Sequence, residues 1–160
     1  VKIYVASSWR NTIQPRVVQA LREQGFDVYD FKNPEPENEG FHWSEIDPHY
    51  KHWTPEAFGK ALAHPIAESG FSLDMKALKE CDVCVLVLPC GRSAHLEAGY
   101  AIGAGKPTII LLPNKNVPGA AEPELMYKMA AHICFDIQEI VQFLSVLNKA
   151  SCIACKPEMR

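Results

Sequence analysis

Asp82-Val83-Cys84-Val85-Leu86-Val87-Leu88-Pro89 is the most apolar run in the chain. A run of that length, rich in Val and Leu and closed by Pro, reads as a strand buried on both faces. Cys90-Gly91-Arg92-Ser93 leads from it into a helical pattern over about Ala94 to Ala104. Gly105-Lys106-Pro107 then turns the chain into a second apolar run, Thr108 to Leu112. Strand, helix and strand within about 30 residues form the crossover unit of a parallel sheet. Gly103 and Gly105 are read structurally, as the end of the helix and a tight turn.

Outward from this unit the alternation continues. Lys2 to Ala6 predicts a first strand, followed by an amphipathic helix carrying Ile13, Val17 and Leu21 and ending near Gly25. Pro15 is compatible with that helix only in its first turn. A second strand, Phe26 to Phe31, precedes a long polar and aromatic segment, Lys32 to about Pro55, that holds Pro34, Pro36, Pro48 and Pro55. A loop of that length inside a compact domain is usually functional. Helical patterns follow over Glu56 to Ala63 and, after His64-Pro65, over roughly Leu73 to Glu80. Beyond the fourth strand the pattern predicts a short helix near Glu122 to Ala130, a weak strand from His132 to Phe135 and a last helix from Ile137 to about Leu147. The expectation is one α/β domain over residues 1–148, a five-stranded parallel sheet with helices on both faces, and a tail over residues 149–160.

Composition narrows the function classes. The chain's 160 residues suit one domain, and a net charge of −3 with no basic block argues against a nucleic-acid backbone as partner. No apolar run approaches the ~20 residues that span a bilayer, so no membrane partner is expected. Val1 to Ala6 enters a strand pattern directly, without the features of a secretory signal, and the expected location is cytoplasmic.

Six cysteines include two pairs at ligand spacing, Cys81-x-x-Cys84 and Cys152-x-x-Cys155. Cys81 to Cys84 enters the strand, where positions three apart point to opposite faces, so the expectation is diverging, buried free thiols. His49-x-x-His52 lacks a third ligand at clear spacing, and no metal is expected. The turn after the first strand, Ser7-Ser8-Trp9-Arg10-Asn11, contains no glycine, which removes the dinucleotide fingerprint. Gly105-Lys106-Pro107 does not match a P-loop. No cofactor is called for.

In a parallel α/β sheet, ligands sit outside the carboxyl ends of the strands, at the switch point of strand order. Ser7 and Trp9, the loop beginning at Phe31, and Pro89 to Glu97 occupy such positions. If Ser93 caps the helix, its first-turn N–H groups and Arg92 make an anion site. Glu97 then ends the first turn, where the macrodipole favours the ionised form that a nucleophile requires. In the aromatic segment Gly40-Phe41-His42-Trp43-Ser44-Glu45, Phe41 or Trp43 can stack on a planar base, and Trp9 after the first strand is a further candidate. Equally, Trp43 and Trp53 can anchor the loop.

Tyr4 in the first strand, Asp74 in the helix before the third, and Leu96-Glu97-Ala98-Gly99-Tyr100-Ala101 followed by Gly105-Lys106-Pro107 together resemble the nucleoside 2-deoxyribosyltransferase family and its nucleotide N-glycosidase relatives. The resemblance covers about residues 1 to 145 and is most specific over Leu96 to Ala101. It implies a flavodoxin-like fold, a small-molecule nucleoside or nucleotide substrate, a homodimer or higher homo-oligomer, and a glycosylated-enzyme intermediate. By that resemblance Glu97 is the nucleophile, Tyr4 its hydrogen-bonding tyrosine, and Asp74 the aspartate on the base and leaving-group side. Glu124 and Met126, in Pro123-Glu124-Leu125-Met126, fall where the family has its inter-subunit segment.

Two positions depart from the transferases. Gly91 stands where they carry an acidic residue, and Cys152 to Arg160 contains no aromatic residue to match their C-terminal contribution. Arg92-Ser93-x-His95 instead looks like the relatives that hold a 5′-monophosphate and hydrolyse the bond. Three readings follow: a deoxyribosyl transferase, a nucleotide N-glycosidase, or a non-catalytic nucleotide-binding module on the same fold.

Overall fold

The computed structural model describes residues 1–113 and 124–154, with the backbone alone for 148–154. Five parallel strands, β1 (Lys2–Ala6), β2 (Asp27–Asp30), β3 (Val83–Val87), β4 (Thr108–Leu111) and β5 (His132–Cys134), lie in the order β2-β1-β3-β4-β5. This is the flavodoxin-like order, whose switch point falls between β1 and β3. Helices α1 (Gln14–Glu23) and α5 (Ile137–Ala154) pack on one face; α3 (Pro65–Glu80) and α4 (Arg92–Gly103) cover the other. A short helix, α2 (Pro55–Ala61), closes the long loop.

Each helix start has a local cause. The Asn11 side-chain oxygen accepts from the N–H groups of Ile13 and Gln14 at 2.7 and 3.2 Å, satisfying donors at the start of α1. Thr54 caps α2, accepting from the Ala57 N–H. α3 begins two turns earlier than the periodicity predicts. His64-Pro65, taken as a break, is a start: proline suits the first helical position, and His64 Nδ1 accepts from the Ile66 N–H at 3.2 Å. Gly70, inside those two turns, is explained by packing, since a Cβ there would lie 2.8 Å from the Cβ of Phe41. At the other end of α3, Lys106 Nζ donates to the carbonyls of Lys79 and Cys81.

Three further expectations change. The short helix expected near Glu122 to Ala130 is a 3-10 helix over Leu125–Met129, and Glu122 lies outside the described residues. α5 runs to Ala154, well past Leu147. Cys81 and Cys84 do not diverge; Cys81 ends α3 ahead of the strand, and both thiols join one buried cluster. Cys152-x-x-Cys155 and Pro123 lie outside the residues whose side chains are described. No described helix is long and apolar enough to cross a membrane.

Candidate active site

At the switch point the loops leaving β1 and β3 are bonded together. Ser7 Oγ donates to the Val87 carbonyl at 2.8 Å, and Asn11 Nδ2 donates to the carbonyls of Val87 and Pro89 at 3.2 and 3.1 Å. Asn11, which sequence reasoning passed over, thus caps α1 and fixes the path of the chain toward α4. The root of the long loop is held by Asp30, which accepts from buried Gln14 at 2.7 Å and from the Lys32 N–H at 3.1 Å.

Beneath these loops two tyrosines meet two carboxylates. Tyr4 and Tyr29 are register partners on β1 and β2, so their rings leave the same face and stack, with centroids 5.3 Å apart and planes 17° from parallel. The Tyr29 hydroxyl donates to Asp74 Oδ1 at 2.8 Å. The Tyr4 hydroxyl is fully buried and has no hydrogen-bond partner among the described residues, although it lies in the field of Glu97 and Asp74. Burial and these two neighbouring charges push its ionisation far up, so Tyr4 acts as a proton donor in hydrogen bonds and not as a phenolate.

Glu97 and Asp74 are both half-buried. Burial and the charge of Asp74 lift Glu97 to about 7, with Tyr4 opposing the rise. Asp74 is also raised by burial, against the stabilising bond from Tyr29. This overturns the expectation of a Glu97 kept charged by the helix dipole. α4 begins at Arg92 with Gly91 as its cap residue, so Glu97 is in the second turn, where the terminal field has decayed and desolvation prevails.

The same geometry corrects Ser93. It lies within the first turn of α4, and its side chain is not the cap, because the extended backbone falls at Gly91. Arg92 and Ser93 are exposed, and among the described residues Arg92 has no acidic partner. His95 faces sideways from this turn. Its Nδ1 is 2.9 Å from the Gly91 carbonyl, which can only accept, so in the neutral ring Nε2 accepts from the Tyr127 hydroxyl at 2.9 Å. His95 therefore joins α4 to the turn after β4. In that turn the Glu124 carboxylate accepts from the Met126 N–H at 3.0 Å, and the Met126 side chain is exposed. Cys90 is pushed up to about 12 by burial and by Glu97, which leaves it a thiol and not a nucleophile.

The long loop folds over α3 and encloses a cavity of about 200 Å³ beside Asp74 and Tyr29, with Phe31, Phe41, Gly70 and Leu73 among its walls. Of the stacking candidates Phe41, Trp43 and Trp9, Phe41 lines this cavity. Trp43 packs instead among Phe41, Trp53 and Phe58, at centroid distances of 4.7, 5.6 and 5.6 Å, as a loop anchor. Trp9 lies against His42 at 4.1 Å and Phe31 at 5.3 Å. Gly40 makes that contact possible: its φ is +76°, and a Cβ would meet the Phe31 carbonyl at 2.3 Å and Trp9 at 2.9 Å. The structure thus brings together Tyr4, Asp74 and Glu97, adds Tyr29, and sets Arg92 and Ser93 at the exposed start of the helix that carries Glu97.

No protein-family model and no curated protein sequence matches the chain. Among solved structures, a 2-deoxyribosyltransferase from Bacillus psychrosaccharolyticus superposes with a TM-score of 0.55 at 21% identity, covering 88% of this chain and 90% of the other. The chain has the fold of a 2-deoxyribosyltransferase. At that identity the likeness is one of fold. A CMP N-glycosidase of Clostridium botulinum, BcmB, also matches, with a TM-score of 0.47 at 20% identity over 91% of this chain and 99% of that one. On the 2-deoxyribosyltransferase fold, the tyrosine–carboxylate cluster lies on the face covered by α3 and α4, toward the carboxyl ends of β1 and β2.

Proposed function

We propose that the chain breaks the N-glycosidic bond of a nucleoside or nucleotide, with Glu97 as nucleophile and Asp74 as acid. The observation that carries this reading is the pair of half-buried carboxylates beside two stacked tyrosines, with an aromatic-walled cavity against Asp74. A Glu97 oxygen forms a bond to the anomeric carbon as the bond to the base nitrogen breaks. The electron pair leaves with the base, and Asp74 supplies its proton. Water or a second base then attacks the same carbon, its proton returns to Asp74, and Glu97 is freed. This is the two-carboxylate logic of a retaining glycosidase. The fold shared with a 2-deoxyribosyltransferase supports the same reading.

Arg92 supports a 5′-monophosphate substrate over a bare nucleoside. A guanidinium without an acidic partner among the described residues, beside the free N–H groups of a helix start, suits a phosphate. The test is turnover of a panel of matched nucleosides and 5′-monophosphates by wild type and Arg92→Ala. The expected loss is about 30-fold in kcat/KM for the nucleotide, roughly 2 kcal/mol, with the nucleoside barely changed. Equal losses, or a wild-type preference for the nucleoside, would return the protein to nucleoside transfer.

The expected homo-oligomer gains support from exposed Leu96, Leu125 and Met126 near the start of α4 and the turn after β4. Light scattering of the active protein checks it, and an active monomer would remove this element.

A further inference from the structure

Tyr29 is absent from every motif in the sequence, yet its hydroxyl donates a well-formed hydrogen bond to Asp74 at 2.8 Å. Its ring is fixed by the stack on Tyr4, so the phenol has little freedom to turn away from Asp74. Tyr4, one strand over, holds its own hydroxyl buried on the Glu97 side, close enough to favour that anion but without a bond of ordinary geometry. The two carboxylates are therefore unequal: the anion of Asp74 is solvated by a phenol at 2.8 Å, whereas the Tyr4 hydroxyl favours the Glu97 anion without closing a bond of ordinary hydrogen-bond geometry.

We infer that Tyr29 is a positioning residue that holds Asp74 as the anion and so places the proton shared by the two carboxylates on Glu97 while the site is empty. The inference takes Glu97 and Asp74 as the reacting pair proposed above. Two carboxylates with mutual repulsion do not ionise together easily, and the proton goes to the one whose anion is less well solvated. The titratable groups around the pair are Tyr4 on β1, Tyr29 on β2, Cys84 on β3, Cys90 after it, and Glu35 and Glu45 on the long loop. Among the described residues no lysine, arginine or histidine shifts either carboxylate, which leaves the phenols to set the order.

The consequence is a masked nucleophile. Attack needs the opposite arrangement, with Glu97 the anion and Asp74 the acid, and the proton count is the same in both. A base bound against Asp74 favours the acid form there, because its ring nitrogen needs a proton to leave. The proton lost by Glu97 is the one Asp74 gains. Tyr29 thus keeps Glu97 inert toward water or stray electrophiles until a base is in place, at the cost of a less populated reacting state.

The experiment is a side-chain carboxyl carbon NMR titration of the ligand-free protein, with Glu97 and Asp74 assigned by Glu97→Gln and Asp74→Asn. In the wild type Glu97 is expected to titrate above Asp74. In Tyr29→Phe, which keeps the ring and its stack, the Asp74 midpoint should rise by about one pH unit and that of Glu97 should fall, matching the loss of one charge-assisted hydrogen bond. Tyr4→Phe should act in the opposite sense and raise Glu97. A residue that merely supports the fold would move neither midpoint. The inference is overturned if Asp74 titrates above Glu97 in the wild type, or if Tyr29→Phe leaves both midpoints in place. The wild-type order is decisive even if the variant folds poorly. No turnover is read: predicted midpoints in a protein that releases no base would remove the functional reading alone, and base release with the wrong midpoints would remove only this one.

Discussion

Under α1 and α5 the sheet presents Ile3, Val5, Val83, Val85, Val87, Ile109 and Leu111; under α3 and α4 the same strands present Tyr4, Ala6, Cys84, Leu86 and Ile110. The alternation is the two-residue period of a strand, so each strand contributes to both faces. The first face meets Val17, Leu21, Ile140 and Leu144, and the carboxylate it buries, Asp30 at the end of β2, is bonded to Gln14 of α1 at 2.7 Å. The second meets the alanine stripe of α4, Ala94, Ala98 and Ala101, which leaves room for two tyrosine rings and brings Glu97 and Asp74 to the edge of the cluster. One face supplies stability. The other gives up branched packing to hold polar groups at low dielectric, and there a carboxylate moves to about 7.

This division is open to direct attack from either side. Glu97→Ala should cut base release by at least about a thousandfold, some 4 kcal/mol of barrier, while chemical denaturation shows the fold intact. A variant that keeps more than about a tenth of wild-type turnover would mean that Glu97 is not the nucleophile. On the opposite face, Leu144→Ala should cost about 2–5 kcal/mol of stability through lost packing and leave kcat/KM of the folded protein nearly unchanged. If that substitution also shifted the titration of Glu97, the faces would be coupled and the division too simple.

The smallest effect is the most specific. The folded-state pKa of Glu97 is raised from 4.5 to about 7, so the folded protein binds the proton more tightly than the unfolded chain. Stability associated with this group is present in full below pH 4.5 and lost as pH rises through 7. Glu97→Gln removes that loss. It should therefore stabilise the protein at pH 8 by about 3 kcal/mol relative to wild type, with the gain vanishing near pH 4.5. Thermal or urea denaturation at the two pH values measures it, and an equal effect at both would show that burial of the charge is not the cause.

The sheet and most helices were readable because their signals are local and repetitive: continuous apolar strands, a helical period, and glycine turns. The site was readable only in part. Glu97, Asp74 and Tyr4 were reached only through a resemblance to a family motif, and the charge state of Glu97 depends on Asp74, 23 residues away in sequence, and on burial that no local pattern encodes. Ser93 and Gly91 are both acceptable cap residues, and only the path out of β3 decides between them. Trp43 and Phe41 alternate in one aromatic run, and the fold of the loop sends one to the anchor and the other to the cavity. Tyr29 was hidden because its importance comes from register: opposite Tyr4 it reaches Asp74, and one position away it would face the other side of the sheet.

In the proposed reaction Glu97 becomes bonded to the sugar. The direct measurement is mass spectrometry of protein quenched in acid during steady-state turnover of a nucleoside or 5′-monophosphate, then digested and read for the peptide that contains Glu97. The account predicts a glycosyl adduct on that residue, formed with release of one base and absent from Glu97→Ala. Base release at full rate with no adduct on Glu97, and undiminished in Glu97→Ala, would contradict it.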